Sequence, residues 1–263
     1  MKSRFLENRI AAIGSTVLLL AASAGHVRAD DVGYEVTSSD QVGTIDLTTG
    51  QFSEVGNMGV QLSGLGVGPG GALYGGVEGG NTLYQVNPVT GSVSPVGSGS
   101  FNYLNFGSTT NGLYALDTSD NLYSINPTNG QSTLIGSTGL SGPVGGLSTN
   151  SGTLYYETSN DFLYSLNLTT GSPTLIGSSG FPNIGNIGGM VFENDTLYGG
   201  YNHIVAYKVV TIDPTTGSAT VTTNESGNFT GSFDGLAPLS VPEPASLSLL
   251  AIAAPMILRR RRV

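Results

Sequence analysis

The sequence of 263 residues contains no cysteine and no tryptophan, and only 10% of its residues are charged. The absence of cysteine excludes disulfides, thiol catalysis and cysteine-ligated zinc, and it leaves the redox compartment open. Basic residues are scarce in the middle of the chain. Between Asp30 and Ser240 the single basic residue is Lys208, against sixteen acids, which gives a net charge of −15. A segment with this net negative charge is not expected to bind nucleic acid or an anionic membrane.

Glycine is abundant, with 40 residues, and strong helix formers are few. This composition disfavours a helical bundle and favours a turn-rich, all-β fold. The apolar fraction of 38% is sufficient for a hydrophobic core. A folded domain is therefore expected rather than a disordered chain.

A repeat of about forty residues fills the middle of the chain. The phrase Leu-Tyr-x-aliphatic-Asn-x-x-x-Gly occurs at 83–91, 122–130 and 163–171, with looser copies at 42–50 and 209–217. Asn or Asp can accept the first hydrogen bond of a turn, and glycine supplies a left-handed conformation. Each phrase therefore predicts a strand followed by a hairpin turn. The closing glycines, spaced by 41, 39, 41 and 46 residues, are Gly50, Gly91, Gly130, Gly171 and Gly217.

Other strands are predicted on both sides of each phrase. A Leu-Tyr pair precedes four of the phrases, beginning at Leu73, Leu113, Leu154 and Leu197. A returning strand follows the turn at 92–97, 131–136 and 172–177, and a glycine-rich strand comes first, around Gly64, Gly146 or Gly189. Four short antiparallel strands in about 42 residues are typical of a β-propeller blade.

The sequence thus predicts five four-stranded blades over residues 30–240. The first unit begins late, with Tyr34 to Thr37 as its first strand, and residues 233–239 are a spare strand near the end. We expect this C-terminal strand to complete the first blade and close the ring. An open β-solenoid or a β-sandwich is the alternative.

The N-terminus has the features of a secretory signal peptide, residues 1–29. Basic Lys2, Arg4 and Arg9 precede an apolar stretch from Ile10 to Ala24. Small residues at Val27 and Ala29 predict cleavage by signal peptidase between Ala29 and Asp30. An uncleaved anchor helix is the alternative.

The C-terminal residues 241–263 combine a polar motif, a short apolar segment and a basic end. The motif is Pro242, Glu243 and Pro244, the apolar segment is Leu247 to Leu258, and the basic residues are Arg259, Arg260, Arg261 and Arg262. The apolar segment can enter a bilayer while the arginines stop it on the cytoplasmic side.

These residues and their order resemble the PEP-CTERM sorting signal of Gram-negative bacteria, a tail also labelled as an ice-binding protein C-terminal domain. The resemblance implies recognition by an exosortase-type membrane enzyme. It also implies a place in the cell envelope or extracellular matrix, with exopolysaccharide as a candidate partner. A plain tail anchor is the alternative.

Residues 30–240 contain few side chains suited to catalysis, and we expect no catalytic site, metal or cofactor there. Asp234 and Glu193 are the only carboxylates near the predicted innermost strands, where propellers carry their central channel. His203 is the single histidine between Asp30 and Ser240 and is expected in a hairpin. A glycan hydrolase or lyase that uses the central channel is the alternative function.

Acidic residues recur after the Leu-Tyr strands, and we expect Glu35, Glu78, Asp117 and Glu157 at matching positions. The segments 117–121 and 157–161 could offer oxygen ligands to calcium, although polar turns that bind no metal have the same residue pattern. The recurring tyrosines are expected to be core residues first and ligand contacts second; they are Tyr74, Tyr84, Tyr114, Tyr123, Tyr155, Tyr164 and Tyr198.

Overall fold

A computed structural model of the chain describes residues 31–239, apart from 78, 101, 110–111, 141–144, 182–184 and 205, and leaves out the side chains of 104 and 109. The predicted signal peptide and the C-terminal tail lie outside these residues. Helical structure in the described part is one short 3-10 turn at Pro69–Gly71. None of the described residues belongs to a helix of the length and apolarity that a membrane span requires.

Short strands account for the rest of the regular structure. The first eleven are β1 Val32–Thr37, β2 Gln41–Asp46, β3 Gln51–Asn57, β4 Leu62–Val67, β5 Leu73–Val77, β6 Thr82–Val86, β7 Val93–Ser98, β8 Tyr103–Thr109, β9 Gly112–Asp117, β10 Asn121–Ile125 and β11 Ser132–Ser137. The remainder are β12 Leu147–Asn150, β13 Thr153–Glu157, β14 Phe162–Leu166, β15 Pro173–Ser178, β16 Gly185–Glu193, β17 Thr196–His203, β18 Ala206–Ile212, β19 Ala219–Asn224, β20 Ser226–Gly227 and β21 Phe233–Pro238.

The strands form five antiparallel sheets, which are the blades of a propeller. From the innermost strand outwards, blade 1 is β21-β1-β2-β3, blade 2 is β4 to β7, blade 3 is β8 to β11, blade 4 is β12 to β15, and blade 5 is β16 to β19. The innermost strands lie beside one another in the order β21, β4, β8, β12, β16, and β16 returns to β21. The predicted five-bladed propeller is confirmed, and the solenoid and sandwich alternatives are wrong.

The hydrophobic core lies between the blades rather than at the centre of the ring. A cluster of buried apolar side chains fills each interface between neighbouring blades, including the closing interface between blades 5 and 1. At that interface Ile45 and Phe52 of blade 1 pack with Val191 and Val209 of blade 5 and with Phe233 of β21. Each blade is apolar on both faces because it is sandwiched between two neighbours.

The ring closes as the sequence predicts. Strand β21 pairs antiparallel with β1, with Gly33 opposite Pro238 and Tyr34 opposite Ala237. A second contact, absent from the sequence prediction, holds the outer edge of the same blade: β20 pairs in parallel with β3, with Ser226 opposite Gln51. The segment that follows blade 5 therefore pairs with blade 1 at both of its edges.

The repeated phrases form the predicted hairpin turns. In blade 3, Gly130 N–H donates to the Asn126 carbonyl at 2.8 Å, and Thr128 N–H donates to Asn126 Oδ1 at 2.9 Å. Gly130 has a φ of 72°, which a residue with a Cβ adopts only with strain. The other closing glycines have φ values from 72° to 79° and form equivalent turns; they are Gly50, Gly91, Gly171 and Gly217.

Four of these turns also touch the preceding blade through a second glycine. A Cβ on Gly91 would lie 2.7 Å from the Cα of Gly56 on β3, so the two backbones are in direct contact. The same contact joins Gly130 to Gly97, Gly171 to Gly136, and Gly217 to Gly177. At the closing interface the turn around Gly50 instead lies beside Thr223 and Asn224 of β19.

Candidate functional site

Described residues of the innermost strands line a small cavity in the central channel. The cavity between the innermost strands measures about 30 Å³, roughly the volume of one water molecule. Leu65, Leu147, Met190 and Leu236 supply much of its lining, and the polar groups are hydroxyls such as that of Ser148. No carboxylate lines this cavity among the residues that the structure describes.

The two carboxylates predicted near the innermost strands lie at opposite ends of them. Asp234 is the second residue of β21 and Glu193 is the last residue of β16. Because Gly189 of β16 lies beside Gly235 and Leu236, about five residues separate the two acids along the strand direction, or roughly 17 Å. A pair of glycosidase carboxylates lies within about 10 Å, so these two cannot work together.

The two acids have different surroundings. Asp234 Oδ2 accepts a hydrogen bond from Gln61 Nε2 at 2.8 Å, and Asp234 Oδ1 accepts one from Ser232 Oγ at 3.2 Å. Burial and the nearby charge of Asp31 raise the pKa of Glu193 to about 7. Neither arrangement presents an acid to the channel.

The acids that follow the second strands are not at matching positions, and this prediction is wrong. Glu157 lies opposite Leu163, the first residue of the repeated phrase in blade 4. The residues that lie opposite the first residue of the phrase in blades 1 and 3 are Val36 and Leu116. Glu35 lies one residue before that position and Asp117 one residue after it. Glu78 lies outside the described residues.

Asp117 stabilises a turn. Its Oδ1 accepts hydrogen bonds from the backbone N–H groups of Ser119 at 2.8 Å and Asn121 at 2.9 Å. Its Oδ2 accepts from Asn121 Nδ2 at 2.9 Å and from the Tyr123 hydroxyl at 3.1 Å. Because both of its carboxyl oxygens accept hydrogen bonds from this turn, Asp117 acts as a turn residue. In the described part of the chain, no three acidic or histidine side chains lie close enough together to hold a metal ion.

Glu157 is fully buried and faces blade 5, on the same side of β13 as Tyr155. Burial raises its pKa to about 8, the charge of Asp161 adds to the shift, and the nearby Ser179 hydroxyl opposes it. Neither carboxyl oxygen has a partner at hydrogen-bonding geometry. This glutamate is closed off from ligands.

Glu35 also faces blade 5, but from blade 1, across the closing interface. Gly33 lies on the same face of β1 and contacts Val191 of blade 5. Glu35 is fully buried, and its carboxyl lies close enough to that of Glu225 for the two to share one proton. Burial, then the charge of Glu225, raises the pKa of Glu35 well above its ordinary value. Burial raises the pKa of Glu225 to about 8.

The remaining predicted residues have the expected places. The seven recurring tyrosines belong to, or pack against, the hydrophobic clusters between blades, so the core interpretation is confirmed. His203 ends β17 and pairs with Ala206 across a hairpin, as predicted. The cleavage residues Ala29 and Asp30, the motif Pro242 to Pro244 and the arginines 259–262 lie outside the described residues.

A larger cavity lies beside Glu225, at the seam between blades 5 and 1. We call it the seam pocket; it measures about 430 Å³, within the usual range for small-ligand sites. It is formed by the β17–β18 hairpin and by the segment that connects β19 to β21. Its lining residues are His203, Ile204, Ala206, Tyr207, Asn224, Glu225, Ser226, Gly227, Phe229 and Gly231.

The sequence prediction missed this pocket. One signal was present: the spacing from Gly171 to Gly217 is 46 residues, the longest in the repeat. The additional residues lengthen β17 and β18 to eight and seven residues, against five in each of the equivalent strands β13 and β14. The longer hairpin forms one wall of the pocket.

No protein-family model matches the chain, and no curated protein matches it at a significant level. Solved structures resemble its fold. A chain of a nidogen/laminin complex has a TM-score of 0.56 at 10% identity, covering 78% of this chain and 97% of that one. A structural genomics protein of unknown function from Bacteroides thetaiotaomicron has a TM-score of 0.52 at 17% identity, covering 72% of this chain and 58% of that one. At these identities the similarity concerns the propeller fold alone.

Proposed function

We propose that this chain is an exported, non-catalytic binding protein of the cell envelope that binds its ligand at the seam pocket. The observation that carries the proposal is the contrast between the cavity in the channel and the seam pocket. The channel holds about 30 Å³ and the seam pocket about 430 Å³. A monosaccharide-sized group fits the seam pocket and does not fit the cavity in the channel, and a unit of a matrix polysaccharide is the proposed ligand.

The sorting part of the proposal is supported by the C-terminal sequence. Strand β21 ends at Pro238, and Pro242-Glu243-Pro244 follows within a few residues. Two prolines around one residue disfavour a helix and favour an extended segment, which a membrane enzyme can recognise. The proposed partners are signal peptidase, an exosortase-type enzyme and an envelope polysaccharide, in a Gram-negative host.

Sorting is tested by replacing Pro242, Glu243 and Pro244 together with alanine. We expect the variant to insert in the membrane but to keep its Arg259–Arg262 end, because the enzyme has lost its recognition segment. Ser246→Ala, just beyond the motif, is the matched control and should be processed normally. The measurement is mass spectrometry of the C-terminus in hosts with and without the exosortase.

Replacing the four arginines with serine should act differently, because the apolar segment then lacks its stop on the cytoplasmic side. We expect part of that variant to pass through the membrane. Recovery of the natural protein with its full tail to Val263, in a host that contains the exosortase, would overturn the sorting proposal and leave simple anchoring.

A further inference from the structure

The walls of the seam pocket are aromatic. The Tyr207 and Phe229 rings meet edge to face with centroids 5.2 Å apart. Phe229 also contacts Phe233 at 5.5 Å and Phe52 at 5.7 Å, which fixes it to the core of the closing interface. Tyr207 is 36% exposed and Ile204, at the rim, is 78% exposed. A ligand can therefore lie against a ring that the core holds in place.

The floor of the pocket is acidic. Glu225 lines it, and its charge acts on the carboxyl of Glu35, which is fully buried. All four carboxyl oxygens are buried, and no donor of the described residues reaches them. Buried carboxyl groups without donors are unfavourable unless a ligand or a shared proton satisfies them.

Among the residues that the structure describes, no Lys or Arg lies at this floor. Lys208 is the one Lys or Arg between residues 31 and 239, and on β18 it shares a face with Val210, which packs between blades 5 and 4. The titratable groups on or beside the pocket are Glu225, Glu35, Asp234, Tyr207 and, at the rim, His203. The negative field of residues 30–240 further favours cations near the pocket.

We propose that the seam pocket binds a primary ammonium group carried on a small ring or chain, such as the amine of an amino sugar. The Glu225 carboxyl, whose oxygens are otherwise buried, turns towards the pocket to accept hydrogen bonds from the ammonium, which takes the place of the proton that Glu225 shares with Glu35. That proton leaves to solvent, and the cation lies against the faces of Tyr207 and Phe229. This inference rests on the proposed binding function and is independent of the sorting tail.

The test compares glucosamine with glucose, which differ by an ammonium in place of one hydroxyl. We would titrate each sugar into the exported full chain by calorimetry at about pH 7, where the proton shared by Glu225 is still bound because the pKa of Glu225 is about 8. We expect glucosamine to bind at least about tenfold more tightly than glucose. We also expect its binding enthalpy to change with the ionisation enthalpy of the buffer, because up to one proton is released.

Two variants locate the site. Glu225→Gln should reduce glucosamine affinity at least about tenfold and remove the buffer dependence, and Tyr207→Ala should weaken binding without removing it. Asp195→Asn is the matched control: it removes one acidic charge from the same blade, in the exposed hairpin between β16 and β17 at the opposite end of these strands. Thermal unfolding by circular dichroism verifies that each variant is folded.

The outcomes separate this inference from the broader proposal. Equal binding of glucose and glucosamine at the pocket would overturn the ammonium inference and leave a sugar-binding module. Equal losses in Glu225→Gln and Asp195→Asn would overturn it as well, since the effect would then be one of overall charge. Absence of binding by both sugars would overturn the ammonium inference and also the proposed sugar-binding role of the pocket.

Discussion

At the residue scale, Glu157 is a buried carboxyl group with no basic partner, and its pKa of about 8 links folding to pH. In the folded protein this group keeps its proton up to about pH 8, whereas in the unfolded chain it loses the proton near its ordinary value of 4.5. The folded state therefore binds more protons between these two values. Its stabilising contribution is complete below about pH 4.5 and is lost as the pH rises through 8.

We predict that the free energy of unfolding decreases between about pH 5 and pH 8, and that Glu157→Gln makes this decrease smaller. The contribution of this one group is on the order of 4 kcal/mol over that range, at about 1.4 kcal/mol per pKa unit. Urea unfolding at the two pH values measures it. The exposed Asp195→Asn should leave the slope unchanged, and a natural protein that is more stable at pH 8 than at pH 5 would contradict the prediction.

The positions of the buried acids could not be predicted from the sequence. Glu35, Asp117 and Glu157 all come after a tyrosine in the second strand of their blade, but the pairing register places them at three successive positions. A difference of one residue moves a strand side chain to the opposite face. The register depends on partner strands, which a pattern within one strand does not specify.

At the scale of the element, the turn of each repeat and the outer strand of blades 1 to 4 carry glycine for two different reasons. The closing glycine of the turn has a positive φ, and this local requirement could be predicted from the phrase alone. The glycine of the outer strand, such as Gly56, allows the turn of the next blade to touch its backbone. That requirement exists only when two blades are side by side, and so the sequence pattern showed the residue but not its role.

We predict that Gly56→Ala destabilises the protein by about 1–3 kcal/mol, the usual effect of overpacking. The new Cβ would lie 2.5 Å from the Thr90 carbonyl oxygen and 3.2 Å from Gly91 Cα, so the turn of blade 2 must move away from blade 1. Gly112→Ala is the control, because the nearest atom to its Cβ is a Tyr114 ring carbon at an ordinary 3.5 Å. Equal urea midpoints for the two variants would refute the role of the contact.

At the scale of the whole molecule, the ring depends on its last strand. Strand β21 covers the inner edge of blade 1 and lies beside both β4 and β16. The sequence predicted this closure because the first unit lacks a strand and the last segment supplies one. The seam pocket could not be predicted in the same way, since the segment after β19 takes its place by contact with blade 1, through β20 and the Phe229–Phe52 ring contact.

We predict that a chain ending after Ser232 loses cooperative thermal unfolding and associates, whereas a chain ending after Leu239 does not. The shorter chain lacks the buried side chains of Phe233 and Leu236 and leaves the β1 edge open. Circular dichroism melts and size-exclusion chromatography compare the two. Equal melting temperatures for the two chains would mean that closure by β21 is dispensable.

The antiparallel pairing of β21 with β1 also decides how the body responds to mechanical force. The two strands leave the ladder at the same end, where Gly33 lies opposite Pro238. A pull applied between that end of β1 and the segment after residue 239 therefore loads one pair of hydrogen bonds at a time, and the ladder unzips from Pro238 towards Phe233 instead of shearing as a unit. A body pulled in this direction would open at its closing strand at low force while blades 2 to 4 remain folded.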